Sequence, residues 1–142
     1  MDCHAHVCGP ADQYPYAQER IYTPPDATLE SYQTLLKMLG VNRGVLVQPS
    51  VYGTDNRAML AALKSNPEQF RGVAVISNDP NEVSDQALAD LNAAGVRGLR
   101  CNIVDIADKS AGLPIEQLRN LGKRIQPFGW HLELLMHVNE YP

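Results

Sequence analysis

Short apolar stretches alternate with longer stretches of helical period along this chain. Five stretches are typical of strands: residues 2–7, 44–48, 72–77, 98–103 and 131–137. Four stretches between them carry apolar residues every three or four positions, which indicates helices. The first helix spans residues 28–39 and stops at Gly40, and the second has Asp55 as its N-cap. The third begins near Ser84 and ends at Gly95. The fourth has Pro114 in its first turn and ends before Pro127.

Strands and helices that alternate in this way predict a parallel β-sheet covered by helices. The alternation of strands and helices is compatible with both an open doubly wound sheet and a (β/α)₈ barrel. Two features favour the barrel: the first strand carries paired histidines instead of a Gly-rich phosphate loop, and polar residues cluster at the C-terminal ends of several strands. A whole barrel takes about 250 residues. Residues 1–142 are therefore predicted to form one partial barrel domain, about the first five βα units.

A partial barrel leaves sheet edges and an apolar face without cover. Such edges promote pairing with other chains. We therefore expect either a fragment of a longer enzyme or a chain that hides its edges in a homo-oligomer.

Composition narrows the class of partner. The 142 residues include 12 Lys+Arg and 16 Asp+Glu, a formal net charge of -4, with no basic run. This balance argues against nucleic acid or an anionic membrane and favours a small-molecule partner. No apolar stretch reaches the roughly 20 residues of a membrane span, and the N-terminus does not resemble a secretory signal. The odd set Cys3, Cys8 and Cys101 lacks CxxC spacing, so we predict reduced thiols in a cytoplasmic protein.

His4 and His6 are the first candidates for chemistry. Because side chains alternate along a strand, both imidazoles are predicted to project from one face. They could bind a divalent metal such as Zn²⁺, or donate hydrogen bonds to a carbonyl oxygen that becomes negative during acyl transfer. The simpler interpretation is two polar residues on a half-exposed strand.

The last predicted strand carries further candidates. His137 closes it and could supply a third donor, although a surface histidine explains it equally well. His131 and Glu133 share its face but lie near the start of the strand, away from the edge where barrel enzymes place their active sites. They are weaker candidates.

Arg100 and Asn102 are predicted to share one face of the fourth strand, with Leu99, Cys101 and Ile103 on the other. A guanidinium that points into a barrel needs an anion, and a substrate carboxylate matches its planar fork. The alternative is an internal salt bridge. Arg97 is predicted to face solvent.

The segment after the second strand, residues 48–56, is rich in hydroxyl and amide side chains, among them Ser50 and Tyr52. Such a loop can hydrogen-bond an oxyacid, although turn chemistry and a helix cap explain part of it as well. The long, Pro-rich first loop, residues 8–27, is either a lid or a wrap around the barrel mouth.

Several segments together resemble the amidohydrolase superfamily, and within it the 2-pyrone-4,6-dicarboxylate lactonase group. They are DCHAHV at residues 2–7, YTPP at 22–25, VQPSVYGTDN at 47–56, RGVAV at 71–75 and GVRGLR at 95–100. The resemblance covers essentially the whole chain. It implies a (β/α)₈ barrel and hydrolysis of a carboxylated lactone in the breakdown of aromatic compounds.

The resemblance also implies roles for single residues. His4 and His6 polarise the scissile carbonyl or bind metal, and Tyr22, Ser50 and Arg100 contact substrate carboxylates. His137 matches a metal ligand of some relatives, whereas the lactonase group requires no metal. The family's later histidine and its general base, an aspartate, fall beyond Pro142, and a second arginine expected after the fourth strand is replaced by Lys109.

Three hypotheses follow. The first is a lactone hydrolase, metal-independent or with a single metal, of which this chain alone is nearly inactive. The second is a Zn²⁺-dependent amidohydrolase or decarboxylase that uses His4, His6 and His137. The third is an inactive half-barrel that binds acids or self-associates.

Overall fold

A computed structural model describes residues 1–77, 79, 82–104 and 113–140. Five parallel strands form one sheet in chain order: β1 (Asp2–Ala5), β2 (Gly44–Val47), β3 (Phe70–Ala74), β4 (Val96–Asn102) and β5 (His131–Leu135). Four helices connect them: α1 (Leu29–Met38), α2 (Arg57–Ser65), α3 (Asp85–Ala93) and α4 (Ile115–Ile125). This half-barrel confirms the predicted βα array, including the number of strands.

The core lies between the sheet and its helices. Leu46, Phe70 and Val96 from three strands pack with Leu36 and Leu63 from two helices, all at most 1% exposed. Ala5 and Val7 join this core. The helices begin where capping predicts: the side chains of Thr28 and Ser84 accept hydrogen bonds from backbone N–H groups of α1 and α3.

The predicted N-cap of α2 needs correction. The cap position is Asn56, not Asp55. The Asn56 side chain donates to the carbonyl of Val75 at 2.7 Å and accepts from the N–H of Val75 at 3.0 Å. Asp55 instead accepts from the N–H and guanidinium of Arg57.

The same contact explains why β3 ends at Ala74 and not at residue 77 as predicted, because a side chain takes the place of the ladder partner at Val75. At the other end β3 begins two residues early, since Phe70 pairs with Gly44. β4 also begins two residues early, at Val96, which pairs with Gly72. β5 ends at Leu135, the partner of Asn102, and not at residue 137.

The first strand is interrupted by an irregularity in register between Asp2 and Ala5. A carboxylate oxygen of Asp2 accepts a hydrogen bond from the hydroxyl of Tyr32 on α1 at 2.8 Å. The bulge therefore turns Asp2 toward the helix layer, although plain alternation would place it on the face of His4 and His6.

The cysteines are all free, with Cys3 exposed, Cys8 buried and Cys101 half-buried. Burial raises the pKa of the Cys8 and Cys101 thiols, which keeps them protonated. None of the helices in the described parts of the chain has the length and apolar character needed to cross a membrane.

Candidate active site

His4 and His6 lie at the C-terminal end of β1, on the face opposite to the core residues Ala5 and Val7. Their ring centroids are 5.0 Å apart and the rings meet edge to face. The sequence predicted this shared face, and the structure has it.

The hydrogen bond of His6 decides which of its nitrogens is available. Its Nδ1 lies 2.8 Å from the carbonyl oxygen of Val47 on β2. A carbonyl only accepts, so Nδ1 carries the proton and Nε2 faces away from that bond. Burial is the main cause that lowers the pKa of His6, and the charge of Arg100 lowers it further, while the Val47 carbonyl acts in the opposite direction. His6 is therefore neutral near pH 7, and its Nε2 presents a lone pair.

Glu133 reaches His4 across the open side of the sheet. Its Oε1 lies 3.5 Å from Nδ1 of His4, so this contact joins β5 to β1, the two outer strands. Its position near the start of β5 made Glu133 a weak candidate, and the structure brings it to the histidine pair. No local sequence signal shows this, because the contact depends on the curvature of the whole sheet.

Arg100 on β4 extends across β3 to the end of β2. One of its terminal nitrogens donates to the carbonyl of Gln48 at 3.1 Å. Its Nε is buried without a hydrogen-bond partner. Within the described residues no carboxylate lies within 4 Å of its guanidinium, although Glu133 is its register neighbour on β5. The internal salt bridge weighed as an alternative is absent from this part of the chain.

A pocket of about 170 Å³ opens beside Arg100 at the C-terminal ends of β2, β3 and β4. It is lined by Gln48, Ser50, Gly53, Val75, Arg100 and Asn102. A larger pocket of about 410 Å³ shares Arg100 and Asn102 and extends to the first turns of α4. The structure thus brings Ser50 and Asn102 to Arg100, as the strand pattern and loop composition predicted. It also adds Gln48, which the sequence did not single out for chemistry.

Other predicted site residues lie elsewhere. Tyr52 is buried against Tyr16 and accepts a hydrogen bond from the N–H of Gly9 at 2.8 Å, so it holds the first loop in place and lines neither pocket. Burial raises its pKa to about 12. Tyr22 is 47% exposed in that loop. Arg97 is exposed and bonded to Asn92, as predicted.

His137 follows β5 and is exposed. Among the residues that the structure describes, no three His, Cys, Asp or Glu side chains are grouped closely enough to hold a metal ion. His4 and His6 supply two nitrogens at most, so the described residues do not form a complete metal centre. Lys109, the residue in place of a second arginine, lies outside the described residues.

Comparison with known proteins places the chain in a family. A family model described as amidohydrolase matches residues 1–139. The chain is 39% identical over 143 aligned residues to a 2-pyrone-4,6-dicarboxylate hydrolase from Comamonas testosteroni, and 42% identical over 100 residues to a 4-sulfomuconolactone hydrolase from Rhizobium radiobacter. All of this chain is covered in the first alignment and 70% in the second.

The fold is also similar to that of a solved structure, a probable 2-pyrone-4,6-dicarboxylic acid hydrolase from Acinetobacter baumannii with citric acid bound. The two chains are 30% identical in sequence, and the superposition covers 94% of this chain with a TM-score of 0.78. The chain spans 48% of that structure, and 45% and 32% of the two curated relatives. With its five-stranded half-barrel and a family match over nearly its whole length, the chain belongs to the amidohydrolase family.

Proposed function

We propose that this chain forms the carboxylate-binding and carbonyl-facing half of a lactone hydrolase that acts on a carboxylated lactone. The observation that carries the proposal is the Arg100 guanidinium, which lines the pocket and has no carboxylate partner among the described residues. A partly buried guanidinium in a pocket binds a planar oxyanion by paired, charge-assisted hydrogen bonds. The relatives named as hydrolases of 2-pyrone-4,6-dicarboxylate and of 4-sulfomuconolactone support this class of substrate, and so does the citric acid bound in the Acinetobacter structure.

In the proposed reaction water attacks the lactone carbonyl, and the bond between the acyl carbon and the ring oxygen breaks. Arg100 holds a substrate carboxylate and so fixes the position of the ring. His4 lies at the open face with Nδ1 beside Glu133, so the ring nitrogen that can donate to the oxygen that becomes negative is Nε2.

Neutral His6 has a different part in this proposal. Its Nε2 accepts and does not donate, so it can orient the attacking water by accepting one of its hydrogens in a hydrogen bond. This differs from the expectation that both histidines donate to the oxyanion.

A bound divalent metal, if one is used, would supply a Lewis acid at the two histidines. The described residues offer no third ligand, so no step is assigned to it. Metal analysis of the purified protein tests this point, since stoichiometric Zn²⁺ that is lost in a His4→Ala variant would favour the metal-dependent alternative.

Arg100 is tested by binding. We expect Arg100→Met to weaken binding of 2-pyrone-4,6-dicarboxylate by about 10- to 100-fold, which is the value of one or two charge-assisted hydrogen bonds. The affinity of Arg100→Lys is expected to lie between those of the wild type and Arg100→Met, because lysine keeps the charge and loses the planar fork. Binding is measured by titration followed with NMR. Arg97→Met is the matched control, because it removes an exposed arginine from the same strand. Equal affinity of the Arg100→Met variant and the wild type would contradict the proposal.

Hydrolysis is measured separately, by loss of the ultraviolet absorbance of the pyrone ring. The resemblance implies a general base on a later strand than the five described here, and we propose that this base is needed for turnover. We therefore expect residues 1–142 alone to turn over at least about 10²-fold more slowly than a full-length relative. Full turnover by this chain would show that the base lies within it.

A further inference from the structure

Gln48 is the one fully buried polar side chain among the described core residues, with 0% exposure. It follows β2, where its backbone N–H donates to the carbonyl of Val73 at 2.9 Å. Its side-chain Nε2 donates to the carbonyl of Asp55 at 2.7 Å. Because that carbonyl can only accept, the orientation of the amide is determined, and Oε1 must be the atom on the other side.

Oε1 of Gln48 has no hydrogen-bond partner in the described structure, although it is buried. An unpaired buried acceptor costs on the order of 1–3 kcal/mol, so it calls for an explanation. Gln48 lines the pocket of about 170 Å³ beside Arg100. The backbone carbonyl of Gln48 accepts a hydrogen bond from the guanidinium of Arg100, which fixes the position of the Arg100 side chain relative to Gln48.

Arg100 contributes the complementary group. Its Nε–H is a buried donor without a partner. Both residues therefore line one pocket, and each carries a buried polar atom without a hydrogen-bond partner, an acceptor on Gln48 and a donor on the cationic Arg100. A plain carboxylate satisfies the guanidinium, but it brings only further acceptors to Gln48. A ligand that satisfies both groups carries an anionic oxygen and, close to it, a hydrogen-bond donor.

We propose that this pocket is a hydroxy-acid subsite, in which Arg100 binds the carboxylate and Oε1 of Gln48 accepts a hydrogen bond from the neighbouring hydroxyl. The inference rests on the proposed lactone hydrolysis, which makes that chemistry. Water adds its oxygen to the acyl carbon, the acyl–oxygen bond breaks, and the ring oxygen leaves with one of the water's hydrogens as a hydroxyl. The ring oxygen of the lactone has no hydrogen, so Gln48 favours the opened acid over the closed ring.

The size of the pocket agrees with this class of ligand. A water molecule takes about 30 Å³ of liquid volume, and 170 Å³ is several times that. Small hydroxy acids such as malate have this scale. Ser50 and Asn102 line the same pocket.

Three ligands of nearly equal size test the hydroxyl itself: L-malate, succinate, which lacks the hydroxyl, and 2-fluorosuccinate, which replaces it with a group that cannot donate. Titrations of the wild-type chain are followed by NMR. We expect malate to bind about 10-fold more tightly than either of the other two, as for one hydrogen bond to a buried partner. Equal affinities of malate and succinate overturn the proposal, and so does 2-fluorosuccinate binding as tightly as malate, because the hydroxyl would then act as an acceptor.

The variant Gln48→Met assigns the effect to Gln48. It keeps the length of the side chain and removes both polar atoms, so we expect the preference for malate over succinate to disappear while succinate affinity stays within about twofold. Gln33→Met on α1 is the control, because Gln33 is a partly buried glutamine outside the pocket whose side chain is bonded to Asn66 and Gln69. If the preference persists in a folded Gln48→Met variant, the proposal is wrong. If that variant does not fold, the three-ligand comparison on wild type still decides.

Failure of this inference is distinguishable from failure of the proposed function. Succinate binding that is lost in Arg100→Met, together with equal affinities for malate and succinate, refutes only the hydroxyl subsite. Succinate and malate binding that both survive in Arg100→Met refute the carboxylate role of Arg100, and with it both proposals.

Discussion

At the scale of single residues, His6 shows how a strand end sets the state of a side chain. The Val47 carbonyl holds Nδ1–H, and burial disfavours the imidazolium. His4, two residues earlier, is exposed on the same face and meets Glu133 instead. Two histidines that look equivalent in the sequence therefore present different atoms to a substrate.

The lowered pKa of His6 predicts a pH dependence of stability. In the unfolded chain the imidazole titrates near its ordinary value of about 6.5, whereas the folded chain binds that proton only at lower pH. Below about pH 6.5 the unfolded state therefore holds more protons than the folded state, so the free energy of unfolding falls as the pH drops. Chemical denaturation at pH 7.5 and at pH 5.0 measures this loss of stability.

His6→Gln supplies the control for that experiment, because it removes the titrating group. The lowered pKa of Asp2 acts only around and below its ordinary value of about 3.8, and so outside this interval. We expect the variant to lose less stability than the wild type between the two pH values. An equal loss in both proteins would assign the effect to other groups.

At the scale of elements, the contact of α2 with β3 depends on a glycine. A Cβ on Gly72 would lie 2.7 Å from Cδ1 of Leu63 and 3.2 Å from Sδ of Met59. Both side chains are at most 2% exposed, so they have little room to move. The helix lies this close to the strand because position 72 has no side chain.

Gly72→Ala is therefore expected to lower the free energy of unfolding by about 1–3 kcal/mol through overpacking. Gly122→Ala on α4 is a matched control, because nothing lies within 4 Å of the added methyl group. There the helix gains stability, up to about 1 kcal/mol. Urea denaturation of both variants measures the difference. Two variants that change stability in the same direction would contradict this account of the packing.

At the scale of the whole molecule, the sheet is open at β1 and at β5. Within the described residues only a short 3-10 helix, Val138–Glu140, and no α-helix follows β5, and Leu134, Leu135 and Val138 are exposed to 39%, 38% and 73%. Unpaired strand edges beside exposed apolar side chains favour association. The open strand edges and the exposed apolar side chains thus predict that this chain associates in solution.

We propose that the chain self-associates through this open side. Sedimentation velocity at micromolar concentration is expected to show species larger than a monomer, and Leu135→Lys is expected to shift the distribution toward the monomer. Ile21→Lys changes an equally apolar residue, 81% exposed in the first loop, and leaves the distribution unchanged. A monodisperse wild-type monomer would rule out the association.

The sequence by itself determined the order and type of the elements, because hydrophobic period and capping are local properties. Four helices and five strands followed from it, as did the shared face of His4 and His6 and the neighbourhood of Arg100 and Asn102. Alternation along a strand is a property of the backbone, so these placements needed no tertiary information.

Only the tertiary structure decided which side chains meet across strands. The contact of Glu133 with His4 depends on sheet curvature, and the unpaired amide oxygen of Gln48 depends on where Asp55 and Arg100 lie in space. The end of β3 was likewise set by the Asn56 side chain, which reaches it from another segment. Hydrogen bonds and burial between segments distant in the chain are absent from local pattern, which is why the chemistry of the pocket became visible only in the fold.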